Sequence, residues 1–288
     1  MQLGRSIRIY LDGGEVSGIR HAELVNWTGQ ALHCPRSRFR ELASGWENVV
    51  SRPGVYFLVG ADLLAERELY IGEAEDTLVR LGQHLRDAER DWTEAIVFTS
   101  KDENLTKAHV KYLESRLVER AKAANRYRVL NKQQPTAAGL PRADQDAMEE
   151  FLMQMPILLG VLGHRVLDPL IKTDEGEESA RTFTYAVKDA KAVGAVTDDG
   201  FVIFKGSTAL KNITETMTPG YVAYKKELIA SGKLTDAGPV LRFNDDVLFN
   251  SPSAAAAVVY GNNANGRVLW RTADGRTLKE VEEDAAGA

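Results

Sequence analysis

Two short apolar runs constrain this chain most: PGVYFLVG at 53–60 and ELYIGEA at 68–74, separated by the charged stretch ADLLAERE at 61–68. Each run is too short for a stable helix and is rich in β-branched and aromatic residues, which favours strands. Two such runs around a polar loop read as a β-hairpin, with Tyr56 and Tyr70 presented side by side. An amphipathic helix over 74–89 follows, placing Arg80 and His84 one turn apart on one face. A strand at 94–99 and a helix from about 103 to 124 come next, then an irregular tail to Asn131. The second helix carries an apolar stripe of Leu105, Ala108, Leu113, Leu117, Ala121 and Ala124, with Ser100-Lys101-Asp102-Glu103 before it as a capping-box pattern. Hairpin, helix, strand, helix makes an α/β sandwich around a small mixed sheet.

At 288 residues the chain holds more than this unit. Residues 1–50 read as a strand-rich extension packed on the core, with a Gly13-Gly14 hairpin turn and a short helix near 38–42. The central domain spans 51–135 and ends in breaker residues between Gln133 and Pro141. A bridging helix over about 143–163 and the charged run GluGlyGluGluSer at 175–179, read as a flexible linker, occupy 136–181. A second small domain covers 182–284. It reads as a hairpin with an Asp-Gly turn, helices over 218–234 and 251–261, and a second hairpin over 263–281 turning at Asn265-Gly266 and Asp274-Gly275. The expected fold class is therefore α/β in the α+β sense, with two small domains.

The net charge of −5 argues against a nucleic-acid partner, but the charge is uneven: nine cations face four acids in 101–133. A local basic face is what phosphate binding needs. The single cysteine, Cys34, excludes an intrachain disulfide and a Cys-rich zinc site. MQLGRSIRIY has no apolar run of signal-peptide length, and FLMQMPILLGVLG is too short to span a membrane. These features lead to the expectation of a cytoplasmic protein. The five histidines show no close paired spacing for zinc. Glu114 has Leu117 and Val118 ahead of it and Val110 behind, so only Lys111 can pair with it locally, in the weaker orientation. A carboxylate beside an apolar seam without a good local partner calls for a ligand.

The ordered set Gly54-Val55-Tyr56, Tyr70-Ile71-Gly72, Arg80, Glu114 and Asn131 resembles the GIY-YIG nuclease module, over roughly residues 50–135. The resemblance implies a divalent-metal-dependent endonuclease that hydrolyses DNA phosphodiester bonds with one Mg²⁺ or Mn²⁺ ion and a tyrosine base. On that basis Tyr56 is the favoured base, Tyr70 a second phenol orienting water or phosphate, and Arg80 the phosphate ligand. Glu114 is the metal ligand and Asn131 the residue that fixes the active-site backbone or contacts phosphate. A free phenol has a pKa near ~10, so a tyrosine base needs neighbouring positive charge, and Arg80 and His84 are placed to supply it. Glu73 follows the second tripeptide where some relatives place a cation nearby.

The C-terminal residues Lys205-Gly206-Ser207, Ser251 to Ala255, Asn265-Gly266, Trp270 and Asp274-Gly275 resemble a domain of unknown function often fused to such modules. They are also similar, more distantly, to the restriction-enzyme adenine-methylase-associated domain. That implies a binding module that selects DNA, modified DNA included. Trp270, Tyr260 and Lys205 form either an aromatic-and-basic surface for bases or, for the tryptophan, part of the core. The alternative from another class is a non-catalytic DNA-binding protein that uses the same fold as a phosphate clamp.

Overall fold

The computed structural model describes residues 4–61, 67–87, 91–170 and 182–286. The run at 175–179 and most of the 61–68 loop lie outside these. The fold is α+β and divides into two compact units, Met1–Pro169 and Leu170–Ala288.

In the first unit the elements run β1 (Ile7–Leu11), β2 (Arg20–Leu24), β3 (Gly29–Pro35), α1 (Phe39–Gly45), α2 (Glu47–Val50), β4 (Gly54–Ala61) and β5 (Arg67–Ala74). They continue with α3 (Thr77–Arg86), β6 (Glu94–Ser100), α4 (Lys107–Ala124), β7 (Arg128–Val129) and α5 (Arg142–Val161). The strands form one sheet in the order β1-β2-β3-β6-β4-β5-β7. All neighbours are antiparallel except β5 and β7, so the sheet is mixed.

Strand β3, which the sequence reading did not resolve, pairs along its whole length with β6. Through it, residues 7–35 extend the sheet of the central hairpin edge to edge. The Gly13-Gly14 turn joins β1 to β2, with both glycines at positive φ (65° and 74°), where a side chain would be strained.

Register assigns the two faces. Directly paired residues share a face, and alternate residues along a strand swap. Tyr56, Gly72 and Val97 lie in one row, with Leu58 and Tyr70 in the next on the same face. There they meet Leu42, Val50, Leu81 and Trp92 from the segments around α1, α2 and α3. Val55, Phe57, Leu69, Ile71, Ile96 and Phe98 face the other way, under the apolar stripes of α4 and α5. Helix α4 begins at Lys107, later than the Ser100 pattern implies. Its cap is Thr106, whose hydroxyl accepts from His109 N–H while His109 Nδ1 takes the Thr106 N–H. His109 thus completes a capping box at the third helical position, where Glu or Gln is usual.

The second unit has β8 (Thr182–Val187), β9 (Ala190–Thr197), β10 (Gly200–Ile203), β11 (Thr208–Leu210), α6 (Pro219–Ala230), β12 (Leu234–Ala237), β13 (Val240–Phe243) and β14 (Val247–Phe249). It ends with α7 (Pro252–Tyr260), α8 (Gly266–Leu269) and α9 (Leu278–Ala286). Two sheets, β14-β10-β9-β8 and β11-β13-β12, build it. The expected 263–281 hairpin is cut down: its first half is the short helix α8, and only a single bridge spans the Asp274-Gly275 turn. Asn265 caps α8 by accepting from Arg267 N–H; beyond it Arg271 forms one bridge to Thr184 of β8 and one to Thr277, the latter closing the expected turn. An Asn-Gly pair serves a helix start as readily as a hairpin turn, because Asn is a good N-cap. Gly266 packs so closely on Pro252 and Ser253 that a Cβ would overlap their backbone.

Candidate functional site

The two glycines of the tripeptides explain how the hairpin carries its phenols. Gly72 lies directly opposite Tyr56, and a Cβ on Gly72 would overlap the Tyr56 hydroxyl. The Tyr56 ring therefore crosses the β5 backbone at the one position where no side chain blocks it. Gly54 sits against the Phe98 carbonyl and the Thr77 and Thr99 methyls, where a Cβ would again overlap. That close fit seats the start of α3 on the sheet. Asp76 caps α3 by accepting from Val79 N–H, and Thr77 Oγ1 donates to the Val50 carbonyl.

This arrangement brings Arg80 and His84 to the phenol. Tyr56 Oη lies 2.9 Å from His84 Nε2, and Arg80 Nε donates to the same oxygen at 3.4 Å. The Tyr56, Tyr70 and His84 rings form a triangle with centroids 5.4–6.4 Å apart. Tyr56 and His84 are buried, whereas Tyr70 and Arg80 are part-exposed and open the group to solvent. The phenol oxygen accepts from the Arg80 guanidinium and shares a second hydrogen bond with His84 Nε2, in which the imidazole tautomer sets which group donates.

The electrostatics correct one expectation. Burial pushes the Tyr56 phenol up, Tyr70 adds to the rise, and the lowering effect of Arg80 does not offset them. Positive charge is present, as the sequence reading required, but desolvation outweighs it, so Tyr56 is a neutral phenol in this arrangement.

Glu114 comes from α4, which packs on the other face of the sheet, and Glu73 of β5 is among its charged neighbours. The Glu114 carboxyl is pushed up to about 7, first by burial and then by the nearby Glu73, against the lowering effects of Lys107, Lys111 and Arg80. Glu73 itself is paired with Lys107 at 2.8 Å. Glu114 in turn contributes to the rise at Tyr56, so the helix carboxylate and the hairpin phenol share one electrostatic neighbourhood. Asn131 does not reach into this group. Its side chain accepts from Ile71 N–H at 3.1 Å and donates to the Ile71 carbonyl at 2.8 Å, fixing the backbone between Tyr70 and Gly72.

Much of the basic segment 101–133 is neutralised inside the unit. Arg116 and Arg120 pair with Glu149, Arg128 with Glu68, Lys101 with Glu23 and Lys107 with Glu73. Arg126 donates to the Asp168 carbonyl. Exposed pairs of this kind add little stability, but they reduce the outward field. Among the described residues, Lys111, Lys122 and Lys132 form no ion pair.

A second cluster lies on the opposite face of the sheet from Tyr56. His33 Nε2 and Glu94 Oε2 are 2.6 Å apart, His164 Nε2 lies 3.5 Å from the same oxygen, and one ligand atom from each residue falls within 4.8 Å of the others. Hydrogen bonds from His164 and His33 hold the Glu94 carboxyl well below the usual carboxylate range. Sequence spacing could not show this group, because its members come from β3, β6 and the turn after α5. Gly163, at φ 100°, is the only local signal. It ends α5 with its own N–H on the Gly160 carbonyl and turns His164 N–H back to the Leu159 carbonyl.

Comparison with known proteins places one part of the chain. Residues 183–282 match the family described as domain of unknown function DUF4357. No curated protein and no solved structure matches the chain. The DUF4357 region is nearly the whole described second unit, and its core decides the question of Trp270. That ring is fully buried, 4.5 Å from Phe201 and 5.7 Å from Tyr185, with Nε1 donating to the Pro252 carbonyl at 2.9 Å. It is a core residue and offers no face to a base. The DUF4357 region also buries Lys225, whose Nζ donates to the Leu210 and Val258 carbonyls at 2.6 and 2.9 Å. Val258 lies in the last turn of α7, so the ammonium caps one carbonyl at the negative end of that helix and ties it to Leu210 of β11. Burial lowers its pKa to about 8. Among the described residues of the whole chain, no helix is long and apolar enough to cross a membrane.

Proposed function

We propose that the chain is a divalent-metal-dependent DNA endonuclease of the GIY-YIG type, with the C-terminal unit selecting the substrate. The observation that carries this reading is the Tyr56 phenol held between Arg80 and His84, with the Glu114 carboxyl close enough to perturb it. A solvated helix face would leave Arg80 and His84 unconnected to a buried phenol. A purely structural tyrosine would not need a glycine cleared from the neighbouring strand to reach them.

The donor set fits one hard cation. A part-buried carboxyl raised to about 7 is not fully compensated by Lys107, Lys111 and Arg80, and Mg²⁺ or Mn²⁺ takes a carboxylate together with waters and phosphate oxygens. Glu114 would hold the ion, which when bound supplies positive charge to the phosphate and to water. The remaining work falls to the chain's own groups. Arg80 offers its guanidinium to the scissile phosphate, a planar contact that lysine does not reproduce. Tyr56 accepts a proton from the attacking water as its own hydrogen passes to His84 Nε2, so the buried phenol need not ionise first. Tyr70, part-exposed beside them, positions water or phosphate. Asn131 fixes the strand that carries Tyr70.

The test is nicking of supercoiled plasmid, unmodified and modified, by the full chain in Mg²⁺ or Mn²⁺, with Arg80→Ala and Glu114→Ala as comparisons. Metal-dependent cleavage lost in both variants is expected. Metal-independent, salt-sensitive binding without cleavage of any substrate would replace this reading with the phosphate-clamp alternative.

A further inference from the structure

The geometry points to a second metal centre, a zinc-class site made by His33, Glu94 and His164 on the sheet face opposite the tyrosines. The two imidazoles are near-parallel, 22° apart with centroids 6.2 Å from each other, and both aim Nε2 at one carboxylate oxygen. Both histidines are buried, at 3% and 5% exposure, while Glu94 is part-exposed. Two imidazole nitrogens and a carboxylate are the donors that Zn²⁺ and its neighbours prefer, and Mg²⁺ does not. Three protein ligands leave one position of a tetrahedral ion open. Beside the cluster is a cavity of about 360 Å³, bordered by Glu94, His164, Thr93, Arg20 and Arg67, which gives an ion a route in and leaves room for water at that position.

The outer contacts say what binding must change. Arg20 Nε donates to His33 Nδ1 at 3.3 Å, which puts the His33 proton on Nε2, where it bonds Glu94. An ion at Nε2 requires the proton on Nδ1, so Arg20 has to turn away. His164 likewise has to release the Nε2 proton it shares with Glu94, but its Nδ1 faces Tyr127 Oη at 3.5 Å, an oxygen able to accept from Nδ1–H once the proton sits there. The ligand atoms also have to open from 2.6 Å to about 3.3 Å, the edge of a tetrahedron with bonds of about 2.0–2.1 Å. Arg20 is thus a competitor for the site, and its removal should favour the metal.

The experiment uses the full, untagged chain, stripped with a chelator and titrated with Zn²⁺ against a chromophoric competitor, with Co²⁺ as the spectroscopic probe. One Zn²⁺ per chain and the visible bands of tetrahedral Co²⁺ are expected. His33→Gln and His164→Gln should each weaken binding by more than about tenfold. Arg20→Gln, whose amide oxygen can accept from Nδ1–H, should tighten it by about tenfold. Glu114→Gln should leave it unchanged, which separates this site from the proposed nuclease centre. Absence of the Co²⁺ bands in the unmodified chain overturns the inference, whether or not the variants fold. So does equal Zn²⁺ affinity in the unmodified chain and the folded His33→Gln/His164→Gln pair.

Discussion

Replacing Glu114 with glutamine should make the first unit more stable at alkaline pH. The carboxyl titrates near 7 in the folded chain and near 4.5 when unfolded. Between those values the folded state keeps a proton that the unfolded state has released, so stability falls as pH rises and the loss is complete above about 7. At about 1.4 kcal/mol per pH unit the gap sets a ceiling of about 3 kcal/mol. Partial exposure and solvent screening bring the expected effect to about 1–2 kcal/mol. Glu114→Gln keeps the shape and removes the charge. Urea unfolding by tryptophan fluorescence suits the measurement, because Trp27, Trp46 and Trp92 report on the first unit and only Trp270 on the second. At pH 4.5 the variant and the unmodified chain should agree within about 0.5 kcal/mol. At pH 8 the variant should be ahead by the stated amount, while any metal-dependent cleavage is lost. A variant that is equal or weaker at pH 8 would refute the claim that this carboxylate is held against its own electrostatics for a ligand's sake.

Gly72→Ala should displace the Tyr56 ring and abolish cleavage with the fold retained; loss of the Tyr56–His84 contact can be followed by the His84 ring resonances. Tyr56→Phe should reduce cleavage far more than it changes DNA affinity, measured by comparing single-turnover rates with filter binding. Lys225→Met should destabilise the second unit by about 2–4 kcal/mol in thermal unfolding, because two buried carbonyls lose their donor. In the unmodified chain the second unit should gain stability as pH rises from about 8 towards 10.5. Across that window the unfolded lysine holds a proton that the folded one has given up, and a flat profile would contradict the burial argument.

The hairpin was legible because strand periodicity and the glycine–tyrosine spacing are local signals. Glu114 was legible because a helix has so few local partners that a missing cation can be noticed. The strand β3 was not: GQALHCP alternates poorly, since it is paired on both edges by β2 and β6 and buried on both faces, Ala31 in one core and Leu32 and Cys34 in the other. The state of Tyr56 was also hidden. Sequence shows that Arg80 is near, but not that desolvation of the ring exceeds its influence. The His33, Glu94 and His164 group arises only on assembly, because β3 lies beside β6 once the sheet forms and the turn after α5 then brings in His164. Trp270 shows the reverse limit, since a tryptophan between turn signals reads equally as surface or core until its neighbours are placed.

The Asn131 amide has a consequence beyond the nuclease reading. Past its two-residue pairing with β7, β5 would offer a bare backbone edge to solvent, and such an edge can recruit strands from other molecules. By occupying both the N–H and the C=O of Ile71, the asparagine closes the most central of those positions to a foreign strand. A residue that fixes a strand therefore also acts as a guard against edge-to-edge aggregation, and its loss should be felt first as reduced solubility on heating.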